Sequence, residues 1–463
     1  MVALQAPRAD RHPGNSYEDI LGRDTRGAPE HLREGRLPDI GVEPVAAERY
    51  FDPGFFRREV RHVWGRVWQM ACREDDVANV GDYQIYENVG RSLIVVRSSA
   101  GEIRAFHNSC LHRARKLVTL PGSKAEFRCP YHGMSWRCDG TFKENPIAWD
   151  FPQWEGQDMS LPEAKVATWG GFVFVNLDPD APPLAEVIAP LAEHFERYDW
   201  PSRFRAVWVQ KKVRANWKVT AEAFMESHHS VTTHPQILGS LNDANSQYDL
   251  PNDHVSRHFS ASAVASPFLE QAPSEQEVLN HLLGQGGRRM EGQTAPELQP
   301  GETARAKAAE LARANLAAAT GRDYSAASDA EMLDALLYNV FPNMSFWAGY
   351  AGSLCYRWRP NGLDPESAIM DVQIYAHAPA DGPKPKNAPV HELGIDEPWS
   401  DAPQLGGLAT IFEQDMGNLP YVQEGLHASG LGVVHFGKYS EMRIRQLHRM
   451  VDRYIAEGEA RGS

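Results

Sequence analysis

Two short segments of the chain each place one cysteine close to one histidine. The first reads Cys110-Leu111-His112 and, after the sixteen residues 113–128, the second reads Cys129-Pro130-Tyr131-His132. Cysteine supplies a soft, anionic sulfur ligand to iron, and a neutral imidazole on the second iron of a cluster raises its reduction potential. The pattern therefore predicts a [2Fe–2S] cluster held by Cys110, His112, Cys129 and His132.

Structural zinc is the alternative for this motif, because four Cys and His ligands also suit that ion. Zinc sites more often pair Cys with Cys and His with His within each half. Here each half is mixed, which favours the cluster. A further cysteine, Cys138, lies in a predicted turn and is interpreted as a small buried residue.

A second candidate metal site lies in the segment 216–236, NWKVTAEAFMESHHSVTTHPQ. Its composition up to His229 predicts a helix, with Glu222, Glu226 and His229 on one stripe. His229 and His234 are five positions apart, about 140° around an ideal helix, so they share a metal only if the helix breaks between them. Pro235 disfavours the helical conformation at His234, which makes a helix end there reasonable.

Two histidines and one carboxylate form a facial triad that leaves positions open on Fe(II) for O2 and substrate. The best candidate for the carboxylate is Asp415, in the segment FEQDMGNLPYVQEGL. The spacing leaves two alternatives open, because His228 could replace His229 and Glu413 could replace Asp415. A histidine pair of this kind is also often only solvated or buried in a core.

The elements around these motifs predict an α+β fold. Residues 66–178 contain short alternating apolar runs separated by Gly, Asn and Asp, which predicts an all-β domain. It is inserted near the N-terminal side of a catalytic domain, formed by a helical segment at 1–65 and by 179–463, with a core of helices and antiparallel sheet. An Ala-rich helix is predicted from Glu302 to Ala319, ended by Gly321, and a Gly-, Gln- and Pro-rich loop from Leu283 to Gly301.

The composition excludes several classes of protein. The formal net charge is -14, from 47 Lys and Arg against 61 Asp and Glu, which argues against nucleic acid or an anionic membrane as the main partner. No apolar run approaches the roughly 18 residues of a membrane span, and the N-terminus lacks the apolar region of a signal peptide. We expect a cytoplasmic protein whose odd number of cysteines serves metal binding or remains as free thiols.

Together these segments resemble the large, or α, subunits of Rieske non-haem iron ring-hydroxylating oxygenases. The similarity runs in the expected order from about position 68 to 427, through WQMACREDDVANVGDY, CLHRARKLV, CPYHGMSW, ANWKVTAEAFMESHHSVTTHP and FEQDMGNLPYVQEGL. It implies that the four Cys and His residues of the first motif hold a Rieske [2Fe–2S] cluster. It also implies that His229, His234 and Asp415 hold a mononuclear Fe(II).

The resemblance gives Glu226 a role in linking the two metal centres across a subunit boundary. The sequence departs from the family's common pattern at Met134, where Trp is frequent, at Ala114, where Gly is frequent, and at His228, where Tyr is usual. None of these departures removes a ligand, although His228 leaves the ligand register open.

The resemblance further implies a terminal oxygenase that uses O2 and electrons from NAD(P)H, relayed by a ferredoxin or a reductase or both. The expected reaction is dihydroxylation or monooxygenation of an aromatic or related hydrophobic ring compound. The alternative within the same scaffold is a monooxygenase that hydroxylates or demethylates a non-aromatic substrate. An electron-transfer protein with only the cluster is the alternative of another class.

A homotrimer is expected, with or without small β subunits. The substrate pocket is expected to be largely apolar. By position relative to the segment 216–236, which we call the iron segment, its candidate residues are Phe224, Met225, Leu238, Phe341, Asn343 and Phe346.

Overall fold

The chain divides into two compact units. The computed structural model describes residues 11–284, 294–350 and 354–462. The larger unit contains the residues up to Phe56, Ile188–Arg359 and Asp364–Arg453, and the smaller unit contains Arg57–Val187, Pro360–Leu363 and the residues from Tyr454 onward. The main segment of the smaller unit thus begins earlier and ends later than the predicted 66–178. Residues 285–293 of the predicted loop lie outside the described residues.

The α-helices of the described residues are α1 (Tyr17–Leu21), α2 (Pro53–Arg58), α3 (Leu184–Val187), α4 (Ala189–Phe195), α5 (Trp217–Glu222), α6 (Ser230–Thr233), α7 (Glu275–Gly284), α8 (Ala304–Thr320), α9 (Asp329–Leu333), α10 (Leu408–Met416), α11 (Leu419–Ala428) and α12 (Met442–Ala460). The Ala-rich helix α8 ends at Gly321, whose φ is 70°, which confirms the predicted glycine stop. None of the helices in the described ranges is long and apolar enough to cross a membrane.

The first strands are β1 (Val45–Ala46), β2 (Gln69–Arg73), β3 (Asp82–Asn88), β4 (Arg91–Ser99), β5 (Glu102–His107), β6 (Gly122–Ser123), β7 (Glu126–Arg128), β8 (Ser135–Arg137), β9 (Phe142–Glu144), β10 (Glu163–Trp169) and β11 (Phe172–Asn176). The later strands are β12 (Arg203–Val213), β13 (Leu241–Asp249), β14 (Val255–Ser262), β15 (Ala335–Val340), β16 (Met344–Trp347), β17 (Leu354–Asn361), β18 (Asp364–His377), β19 (His391–Leu393) and β20 (Val433–Val434).

The smaller unit contains an antiparallel sheet in the order β2-β11-β10-β5-β4-β3-β6 and a second sheet in the order β7-β8-β9. Strand β4 is buried on both faces, because alternate side chains of a strand point to opposite sides. Leu93 and Val95 join one core cluster. Ile94 and Val96 join the other, which also contains Cys110 and Cys129. The cysteines of the first motif therefore belong to a hydrophobic core beside strand β4.

The larger unit contains a sheet in the order β13-β14-β15-β16-β17-β18-β12-β19. Strands β12 and β19 run parallel, whereas β13 to β17 pair antiparallel with their neighbours. Strand β14 is buried along its whole length, with His258 and Ser260 on one face and Phe259 on the other. The helices and the mainly antiparallel sheet confirm the predicted α+β class.

Candidate metal centres

The two Cys and His segments fold into loops of the same form. The Cys110 N–H donates to the Arg115 carbonyl at 2.9 Å, and the Ala114 N–H donates to the Cys110 carbonyl at 2.9 Å. The second loop repeats both hydrogen bonds at the corresponding positions Cys129, Met134 and Gly133. Two identical turns therefore carry the predicted cluster residues.

The fifth residue of each loop has a positive φ, 57° at Ala114 and 81° at Gly133. Glycine adopts this left-handed region freely, whereas a Cβ atom makes it unfavourable. The positive φ explains why glycine is frequent in the family at the position of Ala114. In this chain the alanine adopts a strained backbone conformation there.

The loops bring the donors together in pairs. The buried Cys110 thiol is in hydrogen-bonding contact with Cys129, and burial together with this neighbour raises the pKa of Cys110. The rings of His112 and His132 lie 4.6 Å apart, and the buried Nδ1 of His112 has no hydrogen-bond partner among the described residues. A cluster with two cysteines on one iron and two histidines on the other requires this pairing, so the donor set fits it.

Cys138 is not part of this set. Its Sγ donates to the carbonyl of Lys124 at 3.1 Å, and the side chain is buried in the same core cluster. The sequence interpretation of Cys138 as a small buried residue agrees with this placement.

The second candidate site begins where helix α5 ends. Asn216 caps α5 by accepting from the Lys218 N–H, and the helix stops at Glu222. The predicted helix up to His229 is therefore wrong, because none of the residues 223–229 is helical. The expected break before His234 is present, since His234 has φ -126° and ψ 54° and precedes Pro235.

The backbone between helix α5 and His234 has hydrogen-bond partners from outside the helix. The Ser227 N–H donates to the Tyr248 hydroxyl at 3.0 Å, and the His229 N–H donates to Glu226 Oε2 at 3.1 Å. Strand β13 and the Glu226 side chain thus satisfy the backbone in a conformation that local helix propensity does not predict.

His229, His234 and Asp415 converge at one point. One ligand atom from each lies within 4.8 Å of the others. His234 Nε2 is 2.8 Å from Asp415 Oδ1, and His229 Nε2 is 3.7 Å from the same oxygen. Two imidazole nitrogens and one carboxylate oxygen facing one another suit a divalent iron, so these residues fit the triad.

Each imidazole is held through its other nitrogen. His229 Nδ1 hydrogen-bonds Glu226 Oε1, and His234 Nδ1 donates to Gln414 Oε1 at 2.9 Å. Outer hydrogen bonds of this kind fix the tautomer and the ring orientation of metal-binding histidines. Both Nε2 atoms are thereby left for a metal. The sequence reasoning did not find Gln414.

Glu226 is almost fully buried and also accepts from His228 at 2.9 Å. Burial alone would raise its pKa, but the hydrogen bonds from His228 and His229 outweigh burial and hold the pKa of Glu226 well below its usual value. The carboxylate therefore stays charged beside the triad.

The structure separates the two open alternatives from the triad. The His228 side chain is 49% exposed and contacts Glu226 rather than Asp415. Glu413 accepts from the Ser400 N–H at 3.3 Å and is absent from the converging group.

A cavity adjoins the triad, and we call it the metal cavity. Its floor is one face of strands β14, β15, β16 and β17, and helix α10 covers it. Besides His229, His234 and Asp415, it is lined by Ala223, Phe224, Glu226, Ser227, Ser230, Ile237, Leu241, His258, Ser260, Ala335, Leu337, Trp347, Leu354, Tyr356, Leu408, Ile411 and Phe412.

Of the six predicted pocket residues, only Phe224 lines the metal cavity. Met225 and Phe341 line a separate small cavity beside Arg443. Leu238 and Asn343 are buried and do not belong to the lining of the metal cavity.

Phe346 lies on the opposite face of the sheet, where its ring packs 4.9 Å from Phe195 and 5.9 Å from Trp200. Side chains alternate along a strand, so the next residue, Trp347, faces the cavity instead. The sequence pattern MSFW indicates a strand but does not reveal which of its two aromatic residues faces the site. His258 and Ser260 were missed for the same reason.

Comparison with known proteins identifies the families that the two regions of the chain match. Residues 193–457 match the family described as ring hydroxylating alpha subunit (catalytic domain), and residues 67–155 match the Rieske [2Fe–2S] domain. The glycine betaine monooxygenase oxygenase subunit of Pseudomonas aeruginosa is 28% identical over 195 residues, which cover 42% of this chain and 45% of that protein. The chain thus matches about half the length of this curated relative.

Two solved structures share the fold. A quaternary ammonium Rieske monooxygenase in complex with L-carnitine has a TM-score of 0.62 at 17% identity, covering 91% of this chain and 99% of that one. A naphthalene 1,2-dioxygenase bound to phenanthrene has a TM-score of 0.62 at 18% identity, covering 92% and 96%.

The fold and the two donor sets define the class of Rieske non-haem iron oxygenase subunits. The chain belongs to the ring-hydroxylating oxygenase α-subunit family. The cofactors of this class are a Rieske [2Fe–2S] cluster and a mononuclear iron.

Proposed function

We propose that this protein is the terminal oxygenase of a Rieske system and inserts one oxygen atom of O2 into a C–H bond of an N-methylated quaternary ammonium compound. The observation that carries the proposal is the aromatic and aliphatic cavity beside the converging His229, His234 and Asp415. The comparisons favour this non-aromatic alternative over the aromatic ring compound expected from the sequence, because the curated relative acts on glycine betaine.

In this proposal Cys110, His112, Cys129 and His132 hold the cluster, and His229, His234 and Asp415 hold the iron. When bound, the cluster supplies one-electron transfer and the iron supplies O2 activation. The chain itself orients the imidazoles through Glu226 and Gln414 and surrounds the substrate with apolar walls that limit access of water.

Glu226 is proposed to act as a positioning residue. Its carboxylate receives the Nδ1 hydrogen bond of His229 and remains charged. A charged acceptor fixes the ring and increases its basicity as a ligand. By resemblance to the family, the same carboxylate is proposed to link the iron site to the cluster of a neighbouring chain.

The aromatic wall of the metal cavity supports a cationic substrate. The rings of Phe224, Tyr356 and Phe412 lie 5.1 to 6.3 Å from one another and belong to the lining. Aromatic faces attract quaternary ammonium groups by cation–π interaction. No lysine or arginine occurs among the described residues that line the cavity, so a substrate carboxylate would find no cationic partner there.

The proposal implies redox partners and copies of the same chain. Electrons reach the protein from NAD(P)H through a reductase, a ferredoxin or both. The protein itself assembles as a homo-oligomer.

The test is product analysis by mass spectrometry with a competent reductase. The panel contains choline, glycine betaine, carnitine, the neutral isostere of choline in which carbon replaces nitrogen, and naphthalene. We expect an oxidised or demethylated product from choline at the highest kcat/KM. A product from naphthalene alone would overturn the proposal in favour of ring hydroxylation.

A variant tests the aromatic wall. Phe224→Leu keeps an apolar side chain but removes the ring, so KM for choline should rise about 3- to 30-fold, the range that one cation–π contact supports. KM for the neutral isostere should change much less. Equal changes for both compounds would show that the ring acts only through its volume.

A further inference from the structure

A continuous series of hydrogen-bonded side chains runs along the larger unit beside the metal cavity. The Tyr248 hydroxyl lies 3.0 Å from Ser227 Oγ, and Ser227 Oγ lies 2.8 Å from Ser246 Oγ. Ser246 Oγ lies 2.5 Å from Ser260 Oγ, which lies 2.9 Å from His258 Nε2. We call these five side chains the hydroxyl chain.

The two ends of the hydroxyl chain face different cavities. Ser260 and His258, at one end of the series, line the metal cavity, and Ser227 in its middle also lines it. Tyr248 lines a second cavity of about 720 Å³, which we call the polar cavity because Arg11, Asp243 and Lys438 also line it. Ser246 lines neither cavity. The hydroxyl chain therefore connects the polar cavity with the metal cavity inside the larger unit.

The hydrogen bonds are compatible with proton transfer from Tyr248 towards His258. The Tyr248 hydroxyl accepts from the Ser227 N–H and can donate its own proton to Ser227 Oγ. Burial raises the pKa of Tyr248 well above its usual value, which keeps the phenol protonated. Each serine hydroxyl both donates and accepts, and His258 Nε2 accepts at the end when its Nδ1 carries the proton.

The serine hydroxyls have a second acceptor that competes with this direction. Ser227 and Ser246 also lie 2.9 Å and 2.8 Å from the carbonyl of Asp243. A hydroxyl has one hydrogen and rotates readily, so it can turn from this carbonyl to the next serine. A proton can then pass along the hydroxyl chain without leaving any of its side chains in a charged state.

The proposed reaction needs such a supply of protons. Insertion of one oxygen atom follows R–H + O2 + 2 e⁻ + 2 H⁺ → R–OH + H2O, with the electrons supplied by the reductase. The metal cavity is otherwise mainly apolar, so the protons need a defined route into it.

We propose that the hydroxyl chain conducts protons during turnover from the polar cavity, through Ser246, to its His258 end in the metal cavity. This inference rests on the proposed oxygenase function. It assigns a role to Tyr248, Ser227, Ser246, Ser260 and His258 that neither proposed metal site requires.

Ser246→Ala tests the proposal, because it interrupts the series between Ser227 and the His258 end, at a residue that lines neither cavity. Reductase-driven product formation should fall at least tenfold, while iron content and the Kd for substrate stay unchanged. Turnover driven by hydrogen peroxide follows R–H + H2O2 → R–OH + H2O and consumes no protons, so it should keep at least half of the wild-type rate. Tyr248→Phe should behave in the same way.

Two controls separate this role from a structural one. Ser345→Ala removes a buried hydroxyl of the same sheet, and Tyr338→Phe removes a hydroxyl that bonds His194 Nδ1. Both variants should retain reductase-driven turnover. Neutron diffraction of metal-free crystals should show deuterium on Nδ1 of His258 and none on Nε2.

The outcomes distinguish two failures. If the wild-type protein forms no product with either oxidant, the proposed function is wrong. If the wild-type protein is active and Ser246→Ala matches it in reductase-driven turnover, or if deuterium lies on Nε2 of His258, the hydroxyl chain does not conduct protons. An equal loss with both oxidants would also overturn the proposal, because it would indicate a structural role.

Discussion

The two histidines of the proposed iron site are held by different kinds of acceptor. His229 relies on the charged carboxylate of Glu226, three residues earlier. His234 relies on the neutral amide of Gln414, which is 180 residues away in the sequence. The first contact is local and the second is tertiary, so substitutions at the two acceptors should have different effects.

Gln414→Leu should weaken iron binding about 10- to 100-fold, the scale known for loss of an outer hydrogen bond to a metal ligand. The reason is that the His234 ring loses the acceptor that fixes its Nδ1 proton. The measurement is the dissociation constant for Fe(II) in anaerobic titrations. Gln236→Leu is the control, because Gln236 bonds Gln414 and not the histidine. An unchanged constant in Gln414→Leu would contradict the assignment.

Glu226→Gln should leave both metal centres loaded and lower NADH-driven turnover by about tenfold or more. The substitution keeps the shape of the side chain but removes the charge that His229 Nδ1 contacts. Hydrogen peroxide should recover some product. Glu222→Gln provides the matched control four residues earlier, where Glu222 bonds Tyr50 and His448 instead. Wild-type turnover in Glu226→Gln would show that the charge is not needed.

Among single residues, the sequence predicted the three that converge in the structure. His229, His234 and Asp415 could be found because histidine and aspartate side chains are common metal ligands. It could not separate Asp415 from Glu413, since both lie on one helix and only the fold decides which faces the histidines. It gave no sign of Gln414, whose contact joins distant parts of the chain.

The two loops of the cluster site differ in how well their sequences suit their backbone. Ala114 has φ 57° and Gly133 has φ 81° at equivalent positions. A residue other than glycine is unfavourable in the left-handed region by about 1–2 kcal/mol. Replacement by glycine removes this cost, but it also increases the conformational entropy of the unfolded chain, which offsets part of the gain in stability.

Ala114→Gly should therefore raise the free energy of unfolding of the smaller unit by about 1 kcal/mol. Denaturation followed by loss of the visible absorbance of the cluster measures this change. Gly133→Ala is the opposite test and should destabilise, because an added Cβ would lie 3.1 Å from Pro146 Cγ. A less stable Ala114→Gly variant would contradict the strain at this position.

The iron segment shows where element prediction failed. Ala, Glu and Met favour a helix up to His229, but helix α5 ends at Glu222. The hydroxyl of Tyr248, a residue of strand β13, accepts a hydrogen bond from the Ser227 N–H. Helix propensity describes local preference only, whereas a buried tertiary partner can replace a helical hydrogen bond.

The whole chain follows the order of segments that its motifs indicate, with an all-β cluster region before the larger catalytic region. Strand patterns predicted the α+β class, because alternation and apolar runs are local properties. Which face of a strand points to the cavity depends on the tertiary structure. For this reason the sequence indicates Phe346 as a pocket residue, whereas the structure has Trp347 there.

We expect a homo-oligomer, with a trimer as the specific prediction. Light scattering of the loaded protein should give about three times the chain mass of 51.7 kDa if no β subunits are present. The physical reason is the proposed transfer of electrons between neighbouring chains. A monomer that turned over at the full rate would contradict this arrangement.

The central claim is that two separate donor sets hold two separate iron centres, and iron stoichiometry tests it most directly. The wild-type chain should contain about three iron atoms, two in the cluster and one in the mononuclear site. Asp415→Ala should retain the cluster absorbance and about two iron atoms, whereas Cys110→Ser should lose the absorbance and keep about one. A colourless wild-type protein containing zinc, or loss of both centres together in Asp415→Ala, would contradict the account.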